Sequence, residues 1–372
     1  MEDAKLHDNI FGGILGLAVG DALGVPVEFQ SRKSLRQNPV TNMRGCGTYD
    51  QPPGTWSDDT SLALCLLDGL TQKGLRNTDD SDLPLPDYTD IMQRFISWRD
   101  EGKYTAHDDV FDIGIVTGKA LKRFKNGNEP LKCGGTSEHD NGNGSLMRIL
   151  PIALYFPAID KLYHGQGPSS CREHYVFLSP YVHDISSLTH AHKRCQVACG
   201  LYATIVRMLL DKSYLAKLKT HTSGYCHCGS CVVIDLKSAI HSGLEEGKRI
   251  YEFLDRDDDK YLDELAHYKR LFKRDFATLP EEEINSSGYV VDTLEAALWC
   301  LLNTDNYRDC VLKAVNLGND TDTVAAIAGG LAGVYYGVDA IPKEWLNQLV
   351  RANYIKELCE KFHRSLVRYI AS

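Results

Sequence analysis

Several things are missing from this sequence. It has no basic excess: 50 Asp and Glu outnumber 41 Lys and Arg, and the formal net charge is −9. A nucleic-acid surface needs a concentrated basic face. The balance argues against a nucleic-acid partner but leaves room for a small phosphate ligand, which answers to local charge. There is no clean apolar run of ~20 residues. The best imitation is "IFGGILGLAVGDALGVPV" (Ile10–Val27), which carries Asp21 near its centre and stops at Pro26. It reads as a buried helix rather than a span. The opening, MEDAKLHDN, is polar and acidic, unlike the basic start of a signal peptide. A cytoplasmic protein with no membrane partner is expected. P-loop, H-E-x-x-H and G-x-S-x-G patterns are all absent. So are low-complexity tracts and any clear internal repeat.

Alternating strand patterns joined by hairpin turns are nearly missing as well. Helical spacing of apolar residues takes their place in "TSLALCLLDGL" (Thr60–Leu70), "RCQVACGLYATIVRMLLD" (Arg194–Asp211), "DTLEAALWCLL" (Asp292–Leu302) and other stretches. The fold class is therefore all-α, without a parallel sheet, and no boundary is sharp enough to divide residues 1–372 into two domains. At 372 residues the chain needs no disulfide staples. Its twelve cysteines mostly lie in apolar stretches and read as reduced, buried thiols. Gly12, Gly16, Gly20 and Gly24 recur every four residues, as do Gly329, Gly333 and Gly337. That spacing lines one helix face. Each interior glycine costs ~1 kcal/mol relative to alanine, so close helix–helix approach is the expected compensation.

Two acid clusters carry the chemistry. "GTWSDDTSLAL" (Gly54–Leu64) places Ser57, Asp58, Asp59 and Thr60 before one apolar helix. "GNDTDT" (Gly318–Thr323) places Asp320, Asp322 and Thr323 before another. Such residues are good helix caps. A cap needs one or two of them, however, and each cluster supplies more. Adjacent carboxylates repel unless a cation lies between them. Hard oxygen ligands without His or Cys suit Mg²⁺, Mn²⁺ or Ca²⁺, and two clusters brought together could hold two ions.

Other motifs are weaker alone. "NGNGSLMRILPIAL" (Asn141–Leu154) offers backbone N–H groups that could cradle a phosphate. "DIGIVTG" (Asp112–Gly118) could let backbone approach a ligand, and "LTHAHKR" holds His190 and His192. "CHCGSC" (Cys226–Cys231) lacks the second ligand pair of a zinc site and reads as a loop with exposed thiols, with a local zinc site as the alternative. "DRDDDKYLDELA" fails as a calcium loop, since Lys260 and Ala266 stand where Gly and Glu are required.

Taken together, "GGILGLAVGDALGVPVEF", "GTWSDDTSLAL", "NGNGSLMRILPIAL", "LTHAHKRC", "GYVVDTLEAALW" and "GNDTDTVAAIAGGLAG" resemble the ADP-ribosylglycohydrolase family, in family order from about Ile10 to Gly337. The resemblance implies a single compact orthogonal helical domain with two Mg²⁺ ions, Mn²⁺ as substitute, in a central cleft, and hydrolysis of the glycosidic bond at C1″ of ADP-ribose. It makes Ser57, Asp58, Asp59, Asp320, Asp322 and Thr323 the metal ligands, with Asp322 nearest both ions. Ser57 stands where the family often has Thr, and keeps the hydroxyl. Glu28, Asp58 and Asp59 are the expected catalytic carboxylates, helping to deprotonate the water that attacks C1″. Gly114, Asn143, Gly144, Ser145, Met147, His190 and Tyr289 are the expected ligand-binding residues. The implied partner is an ADP-ribosylated protein or small molecule, arginine-linked first, serine- or guanidine-linked next, with ADP-ribose as product. Extra sequence over roughly 212–287 departs from compact family members. Two other readings compete. One is an all-α, Mg²⁺-dependent nucleotide hydrolase, which would rely on Glu-rich helices where this chain has Asp and hydroxyls. The other is a non-catalytic ADP-ribose binder, which the intact acids oppose.

Overall fold

The computed structural model describes residues 2–71, 86–155, 180–210, 235–255 and 260–371. Within them the chain forms α1 (Glu2–Gly24), α2 (Arg32–Gln37), α3 (Asp58–Thr71), α4 (Tyr88–Glu101), α5 (Ile115–Lys125), α6 (Leu150–Leu154) and α7 (Lys193–Leu210). It continues with α8 (Leu236–Leu254), α9 (Tyr261–Leu265), α10 (Val290–Leu302), α11 (Tyr307–Val315), α12 (Thr321–Tyr336), α13 (Lys343–Gln348) and α14 (Ala352–Ala371). Residues 180–187 are also helical. No strand forms among the described residues, where β-pairing is limited to the isolated bridges Cys46–Gln51, Gly135–His190 and Gly142–Tyr289. The all-α expectation holds.

The centre is the pair α1 and α12. Residues 12–28 and 321–334 are buried throughout. The span-like segment Ala4–Val27 has a mean hydropathy of 1.8, and 94% of its apolar window is buried inside the protein. The glycine stripes face each other. A methyl at Gly12 would strike the Gly333 carbonyl, one at Gly16 the Gly329 carbonyl, and one at Gly20 the Ala325 carbonyl. Rising numbers on α1 meet falling numbers on α12, so the helices run antiparallel. Backbone touches backbone along the seam, and Tyr307 on α11 seals it by donating to the Gly16 carbonyl at 2.7 Å.

This seam positions chemistry. At its end, a methyl at Gly24 would strike the backbone of Asp322. The missing side chain is what lets the first turn of α12 settle against the last turn of α1. The Thr321 hydroxyl fixes the contact by donating to the Gly24 carbonyl at 2.8 Å. Helix α3, buried from Asp58 to Leu70, packs alongside with its N-terminus at the same place.

Within 212–287, helices α8 and α9 lie against α7. The 212–234 portion, with the Cys226–Cys231 segment, lies outside the described residues. Among the described residues every cysteine is a free thiol, and all but Cys46 are buried.

Candidate active site

Helix α3 begins with Asp58 and Asp59, yet neither is its main cap. That role falls to Asp21 of α1. Its carboxylate accepts from the Ser57 N–H at 3.0 Å, the Thr60 N–H at 3.0 Å and the Thr60 hydroxyl at 2.6 Å. Asp21 therefore satisfies the orphan donors of a neighbouring helix, which leaves the Asp58 and Asp59 carboxylates available. The same logic holds on α12. Asp320 sits at the N-cap position but makes no side-chain cap bond. Its carboxylate instead accepts from the Asn143 amide at 2.8 Å.

The two clusters meet. The Thr323 hydroxyl donates to Asp59 at 3.2 Å across 264 residues of sequence, and the Ser57 hydroxyl donates to the same oxygen at 3.2 Å. Carboxylate oxygens of Asp21, Asp59 and Asp322 lie within 4.8 Å of one another, and so do those of Glu28, Asp320 and Asp322. Asp322 belongs to both groups. Among the described residues no Lys or Arg forms an ion pair with any of these acids.

Such crowding is costly. Burial, then neighbouring carboxylates, push Asp58, Asp59 and Asp322 well above the ordinary carboxylate range. Burial raises Asp21 to about 6 and Glu28 to about 8, with Asp112 and Asp320 adding to the Glu28 shift. Buried polar atoms normally find partners. Here Glu28 Oε2, Asp59 Oδ1 and Asp320 Oδ1 have none, although all three are buried. Unpartnered oxygens on carboxylates grouped around Asp322 suit a hard divalent cation.

The walls come from three loops. Residues 141–143 lie beside 288–290 through Asn143 N–H to the Gly288 carbonyl, 3.1 Å, and Val290 N–H to the Asn141 carbonyl, 3.1 Å. This brings Tyr289 and Asn143 to the edge of the acids. His190 backs the same loop, since a methyl on Gly144 would meet its ring at 2.8 Å. Gly114, exposed at the start of α5, turns its N–H toward Asp58.

A family model described as ADP-ribosylglycohydrolase matches residues 2–370. The chain belongs to the ADP-ribosylglycohydrolase family. Members of that family are enzymes that hydrolyse a glycosidic bond of ADP-ribose. An ADP-ribosylarginine hydrolase, Tri1, from Serratia proteamaculans is 31% identical over 96% of this chain and 80% of its own length. An ADP-ribosyl-[dinitrogen reductase] glycohydrolase from Rhodospirillum rubrum is 30% identical over 94% of this chain and 92% of its own. A solved structure titled ADP-ribosylglycohydrolase-related protein complex superposes with a TM-score of 0.68 at 29% identity, covering 97% of this chain and 99% of that one.

The residues expected from the family motifs fall into two groups in this glycohydrolase. Ser57, Asp58, Asp59, Asp320, Asp322, Thr323 and Glu28 converge on one buried cluster. Gly114, Asn143, Gly144, His190 and Tyr289 line its approach. Ser145 differs. Its hydroxyl accepts from Ser186 at 2.9 Å and Cys199 at 3.5 Å, inside the core. Met147 is likewise buried.

Other participants escaped the sequence reading. Tyr49 places its hydroxyl between Glu28 and Asp112, and Asp112 is itself a raised, half-buried carboxyl. The buried Thr117 hydroxyl has no partner and lies between Gly114 and Gly144. Arg148, fully buried, donates to the Gly144 carbonyl and, at 2.8 Å, to the Thr189 hydroxyl. Thr189 in turn meets His190 Nδ1 at 2.7 Å. An acid inside an apolar helix and an arginine inside an apolar motif were the available signals, because a buried charge always implies a partner.

Proposed function

We propose that this protein is a Mg²⁺-dependent hydrolase, with Mn²⁺ as substitute, that releases ADP-ribose from a modified arginine side chain. One observation carries the reading. Carboxylates from opposite ends of the chain gather in two groups that share Asp322, and buried oxygens of Glu28, Asp59 and Asp320 within those groups have no protein partner. The names of the Serratia and Rhodospirillum relatives support ADP-ribose as the ligand, and the first supports arginine as the acceptor.

Ser57, Asp58, Asp59, Asp320, Asp322 and Thr323 would hold the ions. Bound there, a divalent cation supplies Lewis acidity and a fixed grip for ribose hydroxyls. The protein's own groups do the rest. Asn143 holds Asp320 in place. The loop around Gly144, with His190 and Tyr289, embraces the distal part of the ligand, and Gly114 approaches the diphosphate. Glu28, Asp58 and Asp59 surround the position of C1″ and favour positive charge developing on the ribosyl ring. A water adds to C1″ as the bond to the arginine nitrogen breaks. A nearby carboxylate takes the water's proton, and the departing guanidine nitrogen receives one. The net reaction consumes one water and yields ADP-ribose and arginine.

The test is an assay on matched ADP-ribosyl-arginine and ADP-ribosyl-serine peptides, in EDTA or with added Mg²⁺ or Mn²⁺, following free ADP-ribose by mass spectrometry. Metal-dependent release, faster from arginine, is expected. Tight ADP-ribose binding without release from either peptide would leave a binder in place of an enzyme.

A further inference from the structure

At the mouth of the acid cluster stands a short row of aromatic rings. Phe29, directly after Glu28, is 70% exposed. Its ring centroid lies 6.5 Å from that of Tyr49, with the planes tilted by 58°. Tyr49 lies 5.1 Å from Phe111, tilted by 54°. Phe111 precedes Asp112, and the Tyr49 hydroxyl contacts both Glu28 and Asp112. The row therefore leads from solvent to the carboxylates.

Solitary exposed apolar residues are ordinary, but this one is held out at a cost. Phe29 has φ of 64°, a conformation that bulky residues rarely adopt and that concentrates at functional positions. Two short backbone bonds lock it: Phe29 N–H to the Asn319 carbonyl at 2.6 Å, and Asn319 N–H to the Gln30 carbonyl at 2.7 Å. Asn319 adjoins Asp320. The ring is thus tied on one side to Glu28 and on the other to the second acid cluster. An extended backbone at residue 29 would avoid the strain and turn the ring elsewhere.

The chemistry of the row selects its occupant. Ring faces attract cations, and a planar guanidinium can stack on them while its N–H groups reach carboxylates. Glu28, Asp112 and Asp58 lie beyond the rings, and among the described residues no basic side chain pairs with them. A neutral hydroxyl acceptor would gain nothing from either feature. We propose that Phe29, Tyr49 and Phe111 form the acceptor subsite and that it takes a guanidinium, so that Phe29 determines the preference for arginine. This rests on the hydrolase reading above and adds the residues that set its acceptor.

The experiment compares kcat/KM on ADP-ribosyl-arginine and ADP-ribosyl-serine peptides of matched sequence for the full-length, metal-loaded wild type and three variants. Phe29→Ala removes the ring, Phe29→Leu keeps apolar bulk without a π face, and Phe29→Tyr keeps the ring. The arginine-over-serine ratio is expected to fall roughly 5- to 30-fold in F29A and F29L, mainly through KM, and to return in F29Y. A wild type that cleaves arginine, with the ratio unchanged in F29A and F29L, overturns this inference alone. Restoration by leucine overturns it too, because apolar area would then suffice. A wild type that cleaves neither peptide overturns the hydrolase reading and the subsite with it.

Discussion

The Thr323 hydroxyl donates to the Asp59 carboxylate over 3.2 Å, joining the first turn of α12 to the first turn of α3. Asp322, its neighbour in sequence, lies within reach of both carboxylate groups. Changing Asp322 to Asn keeps the shape and removes one negative charge. Turnover is expected to fall more than about 100-fold, since even groups that only support ligands cost 10- to 100-fold in metal affinity. The fold should survive. Mg²⁺ binding by calorimetry and melting temperature in EDTA check both halves. Full activity in D322N would remove Asp322 from the metal set.

The crowded acids make a second prediction, about pH. Glu28 rises from 4.5 to about 8 and Asp21 from 3.8 to about 6, both chiefly through burial. A carboxyl raised in the folded state binds its proton more tightly there than when unfolded. Its contribution to stability is complete below the unfolded value and is lost as pH climbs through the folded one. Metal-free protein should therefore melt at progressively lower temperature from about pH 4 to about pH 8. Saturating Mg²⁺ should flatten that slope, because a bound cation stabilises the ionised form. Melting curves in EDTA and in Mg²⁺ across this range decide it; a flat EDTA series contradicts it.

Much of this arrangement was legible in the sequence, and the rest was not for identifiable reasons. Helical periodicity is local, so the all-α class and most helices could be read directly. The glycine stripes were visible because their period matches the helix, and the seam between α1 and α12 follows from them. The acid clusters stood out because each supplied more oxygen ligands than a cap requires. Asp21 was noticed only as a blemish in an apolar run. Its partners Ser57 and Thr60 lie 36 and 39 residues away, and no local pattern announces a cap donated by another helix. Tyr49 and Asp112 carry no periodic signal, and their importance arises only when the chain brings them to Glu28. Ser145 illustrates the converse. It sits within a motif expected to bind ligand, yet its hydroxyl serves the core.

The glycine seam gives a third prediction with opposite signs at two positions. At Gly16 an added methyl would strike the Gly329 carbonyl, and backbone cannot move aside cheaply. Gly16→Ala should destabilise by about 1–3 kcal/mol, the usual cost of overpacking. At Gly118 in α5 the nearest atom, on Ile113, is 3.7 Å away. Gly118→Ala should stabilise by about 0.5–1 kcal/mol through helix propensity alone. Denaturant unfolding of both variants tests the contrast. A neutral G16A would mean that the two helices are not in backbone contact.

Arg148, Thr189 and His190 form a chain whose protons can be assigned. Arg148 has only protons to give, so the Thr189 oxygen accepts from it at 2.8 Å. The Thr189 proton is then free for His190 Nδ1, 2.7 Å away. Nδ1 accepts, and the ring proton must reside on Nε2, on the side of the loop around Gly142 and Gly144. Burial, reinforced by the Arg148 charge, pushes His190 down to about 3, so the ring stays neutral throughout the working range. A neutral Nε2–H donor beside a loop of backbone N–H groups is suited to an anionic ligand oxygen. Thr189→Val should disturb the tautomer and weaken ADP-ribose binding roughly 5- to 10-fold, the worth of one hydrogen bond, while Thr189→Ser should restore both. Nitrogen-15 chemical shifts of the His190 ring read the tautomer directly. In the wild type they should report Nε2–H and remain constant from pH 5 to 9; a protonation step in that interval, or an Nδ1–H ring, would break the chain at Thr189.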